Sequence, residues 1–160
     1  MHLAQLNIGR TLAPLDSSQL AGFVDNLERV NALADAAPGF VWRLQDDSGD
    51  ATSIRAFEDE LMILNMSVWE SLEALWAYVY DGEHLAVMRR RREWFERIEQ
   101  HMCLWWAEEG RIPTVAEAIG RLEELRAVGP SLRSFTFKRP FDEHGAAVDP
   151  GALRPLAGCS

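Results

Sequence analysis

The chain opens on a two-residue alternation. Ala4, Leu6 and Ile8 fall on one side of an extended backbone and Leu3, Gln5 and Asn7 on the other, the pattern of a half-buried strand that Gly9 ends. The period then changes. After Pro14 and a pair of serines able to cap a helix, Leu20, Phe23, Val24, Leu27, Val30 and Ala34 recur every three or four residues down to Pro38 and Gly39, which predicts one amphipathic helix. Alternation returns over residues 40–45, where Phe40, Trp42 and Leu44 oppose Val41, Arg43 and Gln45. It returns again over residues 61–69, where Met62, Leu64, Met66 and Val68 oppose Ile63, Asn65 and Ser67. The acidic, serine-rich residues 46–60 between these strands read as a long hairpin connection.

A second helical region starts near Glu70 and carries Leu72, Trp76 and Val79. Asp81-Gly82 should loosen or kink it before it resumes through Leu85, Met88, Phe95 and Ile98. Residues 102–107 read as a short aromatic strand. Thr114-Val115-Ala116-Glu117 is a capping box that opens a helix through Ile119, Leu122 and Leu125, and Gly129-Pro130 stops it. Residues 134–138 read as a last short strand, and residues 139–160, rich in glycine and proline, as a loose tail.

The predicted order is β-α-β-β-α-β with an added C-terminal α-β. This is the split βαβ repeat of a ferredoxin-like α+β fold, one domain over residues 1–138. In that fold both main helices cover one face of an antiparallel sheet. A bare second face carrying tryptophans would be an exposed apolar patch, so burial against a second copy, a homodimer, is expected.

Composition narrows the partners. In 160 residues, 48% hydrophobic, the 25 acidic against 16 basic side chains give a net charge of −9, which opposes a nucleic-acid phosphate backbone or an anionic membrane surface. Cys103 and Cys159 make neither a disulfide framework nor a zinc site. The first residues lack a signal peptide's basic and apolar runs, and no window has the length of a membrane span, so a cytoplasmic protein is expected. No nucleophile elbow, phosphate loop or dinucleotide fingerprint occurs. Asp46, Asp47, Gly49 and Asp50 lack the spacing of a calcium loop and read as a turn, and no metal site is expected.

Candidate chemistry lies in a polar minority. Asn7, Asn65 and Ser67 alternate on predicted strands, where they either orient a substrate carbonyl or bond one another or trapped water across the dimer interface. Arg43 offers a fork to a substrate carboxylate or to an acid of a second subunit across the dimer. His84 sits beside the predicted helix break with Met88, Arg91 and Phe95 at helical spacing on roughly one face, as a proton donor, an axial haem ligand or a packed structural histidine. In the run from Arg89 to Arg92, at most one or two guanidinium groups can share a site. Aromatic rings supply burial first, and two or three of them, Trp69 and Trp105 included, are expected in a ligand wall.

Val68-Trp69-Glu70-Ser71 followed by Glu73-Ala74-Leu75 resembles the antibiotic-biosynthesis-monooxygenase-like proteins of the dimeric α/β-barrel superfamily. With residues 2–7, Phe40-Val41-Trp42-Arg43-Leu44, Asn65-Met66-Ser67, Arg91-Arg92-Glu93-Trp94-Phe95, Trp105-Trp106 and Ile112-Pro113-Thr114-Val115, the chain up to Phe137 resembles a bacterial family of that superfamily with no assigned function. The resemblance implies a lumen, between two sheets or between a sheet and the second helix, that holds a hydrophobic substrate or a haem. It implies either cofactor-independent oxygenation of polycyclic aromatics or haem degradation. By the same resemblance Asn7 takes a first-strand asparagine place and Tyr78 lands near an aromatic one. The histidine place falls near Met88, with His84 one helical turn before it. Two readings follow. One is a monooxygenase-like or isomerase-type enzyme in which Asn7, Asn65, Tyr78 and His84 act on an aromatic metabolite. The other is a non-catalytic binder of haem or another hydrophobic ligand.

Overall fold

The chain's alternating segments pair into a single antiparallel sheet in the computed structural model, which describes residues 1–47, 49–52 and 54–153. The elements are β1 (His2–Arg10), α1 (Ala21–Ala36), β2 (Phe40–Arg43), β3 (Met62–Trp69), α2 (Leu72–Val79), α3 (Gly82–Arg89), β4 (Met102–Ala107) and α4 (Val115–Val128). The strand order is β2-β3-β1-β4, the ferredoxin-like arrangement with β1 and β3 at the centre. Register sets Leu3 opposite Trp69, Gln5 opposite Ser67 and Asn7 opposite Asn65. One face of the sheet therefore runs from an apolar end to an amide-rich end.

Local chemistry places the breaks. The Ser71 hydroxyl accepts the Ala74 N–H at 3.1 Å to start α2, and Asp81 accepts the Glu83 N–H at 3.0 Å to start α3. Thr114 caps α4 through the Glu117 N–H, also at 3.1 Å. Gly39 turns the chain from α1 into β2 at φ +82°, where an added Cβ would stand 2.5 Å from that of Ala74.

The two faces of the sheet have different covers. α1 and α2 lie over the face of Leu3, Trp69 and Leu104, packing with Leu72, Leu75 and Phe135. On the opposite face Ala4, Leu6, Ile8, Leu64, Met66, Val68, Cys103 and Trp105 are all buried within the one chain. Ala118, Leu122 and Leu125 of α4 cover them, with Ala56 and Phe57 of the long connection alongside. The expectation of a bare second face is thereby corrected: among the described residues α4 and the long connection cover it.

Three boundaries also differ. The second helical region stops at Arg89, and after a short 3-10 turn Phe95 forms a bridge with Thr11 instead of continuing as helix. Gly9 permits this: a Cβ there would meet the Phe95 ring at 2.8 Å. The last strand is reduced to one bridge, Leu104 with Phe135, because tight turns bring Ser131 onto Ser134 and Thr136 onto Arg139 on either side. Residues 139–153 are packed, contrary to the loose tail expected: Trp106 Nε1 donates to the Phe141 carbonyl at 2.9 Å and Leu153 is buried against the sheet. Residues 154–160, with Cys159, lie outside the described residues. Among the described residues no helix is long and apolar enough to cross a membrane, and no cluster of His, Cys, Asp and Glu could hold a metal ion.

Candidate functional site

At the amide-rich end of the sheet the helices splay and leave a cavity of about 340 Å³, within the range of small-molecule clefts. Its floor is the sheet: Gln5 and Asn7 of β1, Ile63, Asn65 and Ser67 of β3, Arg43 of β2 and Met102 of β4. One wall is the inner stripe of α1, formed by Phe23, Leu27, Val30 and Ala34 with Asn26 and Asn31 among them. The other wall is Tyr78 and Val79 of α2, then His84, Val87, Met88, Arg91 and Phe95, a spacing that keeps one side of α3 and its following turn toward the cavity. Asp50, Ala51 and Thr52 of the long connection close part of the rim.

Nine sequence-predicted residues thus share one cavity: Asn7, Arg43, Asn65, Ser67, Tyr78, His84, Met88, Arg91 and Phe95. Two do not line it. Trp105 is fully buried on the opposite face under α4, because position 105 has the parity of Leu6 and Ile8 across the sheet. Trp69 has the right parity but stands at the apolar end, also fully buried, where it stacks on Tyr78 at 5.0 Å and meets Phe40 edge-on at 5.4 Å. Its contribution is made through others. Trp69 Nε1 donates to Ser67 Oγ at 2.9 Å, and Ser67 in turn donates to Gln5 Oε1 at 2.6 Å. That chain commits the Gln5 oxygen and leaves its NH2 as the end free to donate.

The titratable groups divide into committed and available. Arg43, expected to grip a substrate carboxylate, has its fork closed on Asp35 at 2.7 and 3.2 Å while Nη1 donates to the Gly49 carbonyl at 2.6 Å. It is a clamp tying the long connection to α1, and the substrate role is corrected accordingly. Tyr78 donates its phenol proton to the Val30 carbonyl at 3.1 Å, and burial raises its pKa further above the ordinary phenol range, so its ring is a wall and not an acid. Asp50 accepts from both the N–H and the hydroxyl of Thr52, at 2.9 and 2.6 Å.

His84 is different. Its Nδ1 lies 2.8 Å from the Val79 carbonyl, which can only accept, so Nδ1 carries the proton of the neutral ring. Burial holds the group below the usual imidazole range despite that bond and the Asp81 charge. Nε2 keeps an unshared pair, the residue lines the cavity, and Tyr78 packs against the ring at 4.7 Å. His101 is likewise depressed, first by burial and then by the positive charge of Arg91. Arg91 lies over the Phe95 ring at 5.4 Å, and its Nη2 is buried without a hydrogen-bond partner among the described residues.

Haem fits this donor set poorly. A haem brings two propionates and a wide macrocycle. With Arg43 committed, Arg91 is the arginine left to answer them among the cavity-lining residues described, in a space at the small end of the ligand range.

Sequence reasoning missed Gln5, Asn26, Asn31, His101 and the rim residues Asp50, Ala51 and Thr52. Asn26 and Asn31 had a legible signal, two amides beside the apolar stripe of α1. The rim had none, because a connection's path is set by what clamps it.

In fold the chain is similar to SnoaB, a cofactor-independent oxygenase from Streptomyces nogalater. The match has a TM-score of 0.50 and 17% identity, and covers 68% of this chain and 94% of that one. An asparagine-to-alanine variant of that oxygenase matches with a TM-score of 0.50 and 15% identity, over 71% and 98%. At these identities the likeness concerns the fold alone. No curated protein matches the chain. A family model described as a domain of unknown function, DUF3291, matches residues 2–150, and the chain belongs to that family.

Proposed function

We propose that the cavity is the active site of a small-molecule enzyme that removes a proton from a hydrophobic, aromatic metabolite, in a monooxygenase-like or isomerase-type reaction. The observation that carries this reading is His84: a cavity-lining residue held toward its neutral form by burial, with its tautomer fixed by the Val79 carbonyl so that Nε2 is the basic nitrogen. A base of that kind takes a proton from an acidified C–H or phenolic O–H. The electron pair left behind spreads into the ring system and onto its oxygen. Asn7 and Asn65, paired across β1 and β3, and the NH2 of Gln5 offer N–H groups to that oxygen from a rigid sheet. The apolar stripe of α1 and the Tyr78 ring hold the hydrocarbon part and exclude water.

The likeness to a cofactor-independent oxygenase supports the monooxygenase-like branch, in which the delocalised anion forms a C–O bond to dioxygen, the proton taken by His84 returns to the peroxide, and cleavage of the O–O bond with loss of water leaves a new carbonyl. In the isomerase branch the proton returns to a different atom. Because both sheet faces are covered in one chain, we place the whole site within a single protomer.

The test is a panel of phenolic and anthrone-type polycyclic compounds, followed by oxygen uptake and mass spectrometry of products. Turnover that His84→Ala lowers by about a hundredfold or more supports the reading. Full turnover in that variant, with the substrate still bound, would end it.

A further inference from the structure

Arg91 is the one charge in the cavity that the described residues leave unanswered. Arg43 is neutralised by Asp35, and Asp50 is engaged by Thr52. Among the described residues Arg91 Nη2 is buried with no acceptor, and the charge bearing on this guanidinium is the like charge of Arg92. Its neighbours in the run are accounted for otherwise: Arg90 pairs with Glu93 and lies over Trp94, and Arg89 and Arg92 are exposed. Guanidinium does not shed its proton, so neutralisation by deprotonation, open to a buried lysine, is closed here. A half-buried cation without an acid is costly, and a cavity wall is where a ligand can offset that cost.

We propose that the ligand is an aromatic or polycyclic acid whose carboxylate seats on Arg91. This rests on the reading of the cavity as a small-molecule site, and it adds the ligand's charge. Phe95 holds the guanidinium in place, its ring in turn seated on Gly9, which has no side chain to push it away. The carboxylate seats on the part of the Arg91 guanidinium that lines the cavity, and the ring system extends from there between α1 and the amide floor toward His84. His101, close enough to feel Arg91, is held neutral and so leaves the carboxylate to the arginine.

The experiment is calorimetric titration of 1-naphthoate and of its uncharged isostere 1-naphthamide into the wild-type chain, Arg91→Gln, Arg91→Lys and the control Arg90→Gln. The expected result is that wild type and Arg90→Gln bind naphthoate about tenfold or more tighter than naphthamide, the scale of a charge-assisted hydrogen bond. Arg91→Gln should lose that preference while keeping its affinity for naphthamide, and Arg91→Lys should recover part of it. Circular dichroism shows whether Arg91→Gln folds; if it does not, the lysine variant and the wild-type preference decide. Equal binding of the two probes by the wild-type chain overturns the carboxylate seat and leaves the hydrophobic site standing. Binding of neither probe overturns both.

Discussion

Leu122→Ala tests the feature that separates this chain from a sheet awaiting a partner. Leu122 is 2% exposed and, at the middle of α4, belongs to the same buried cluster as Leu6, Cys103 and Trp105. Truncation removes three carbons, worth about 0.8 kcal/mol each on transfer, and leaves a cavity whose cost brings the total to about 3 kcal/mol. For a domain of this length that lowers Tm by roughly 6–12 °C. Val128, at the end of the same helix and 70% exposed, is the control, and Val128→Ala should stay within about 0.5 kcal/mol. Urea and thermal melts followed by tryptophan fluorescence measure both, since Trp105 lies under α4. If Leu122→Ala melts with the wild type, α4 does not seal that face in solution, and the claim that one chain completes the site loses its support.

Four further outcomes are expected. Gly39→Ala should lose about 3 kcal/mol in denaturant melts, since it forces a positive φ on alanine and drives a Cβ onto Ala74. Burial depresses His84 and His101 in the folded state, so below the ordinary imidazole value of 6.5 the unfolded chain binds the extra protons. Stability should be full above that pH and fall on acidification, with a shallower fall in His84→Gln; a urea midpoint that rises as the pH drops contradicts this. For the same reason turnover should persist to lower pH than a free imidazole base would allow, which a pH-rate profile checks. Ligand affinity should be independent of protein concentration, measured beside light scattering across the same range; binding that appears only on self-association refutes a one-chain site.

Much of this was legible in the order of residues. Two-residue and three-to-four-residue periods located the sheet strands and the main helices, because each period decides which side chains share a face. The cavity's polar floor was visible as Asn7, Asn65 and Ser67 at alternate positions, and its wall as His84, Met88, Arg91 and Phe95. Parity along a strand, however, says only that two faces differ. Whether Trp105 meets a ligand or a helix depends on which element lies over its face, and that is set by how α4 folds back from Gly110 and Pro113.

The same division holds for charge. The sequence alone determined that arginines stand at 43 and 91 and that both fall near the candidate site. Only the tertiary structure decided that Asp35 reaches across from α1 to satisfy the first and that no described acid reaches the second. An arginine's role rests on distances of a few ångströms to groups remote in the chain, and periodicity carries no such distances.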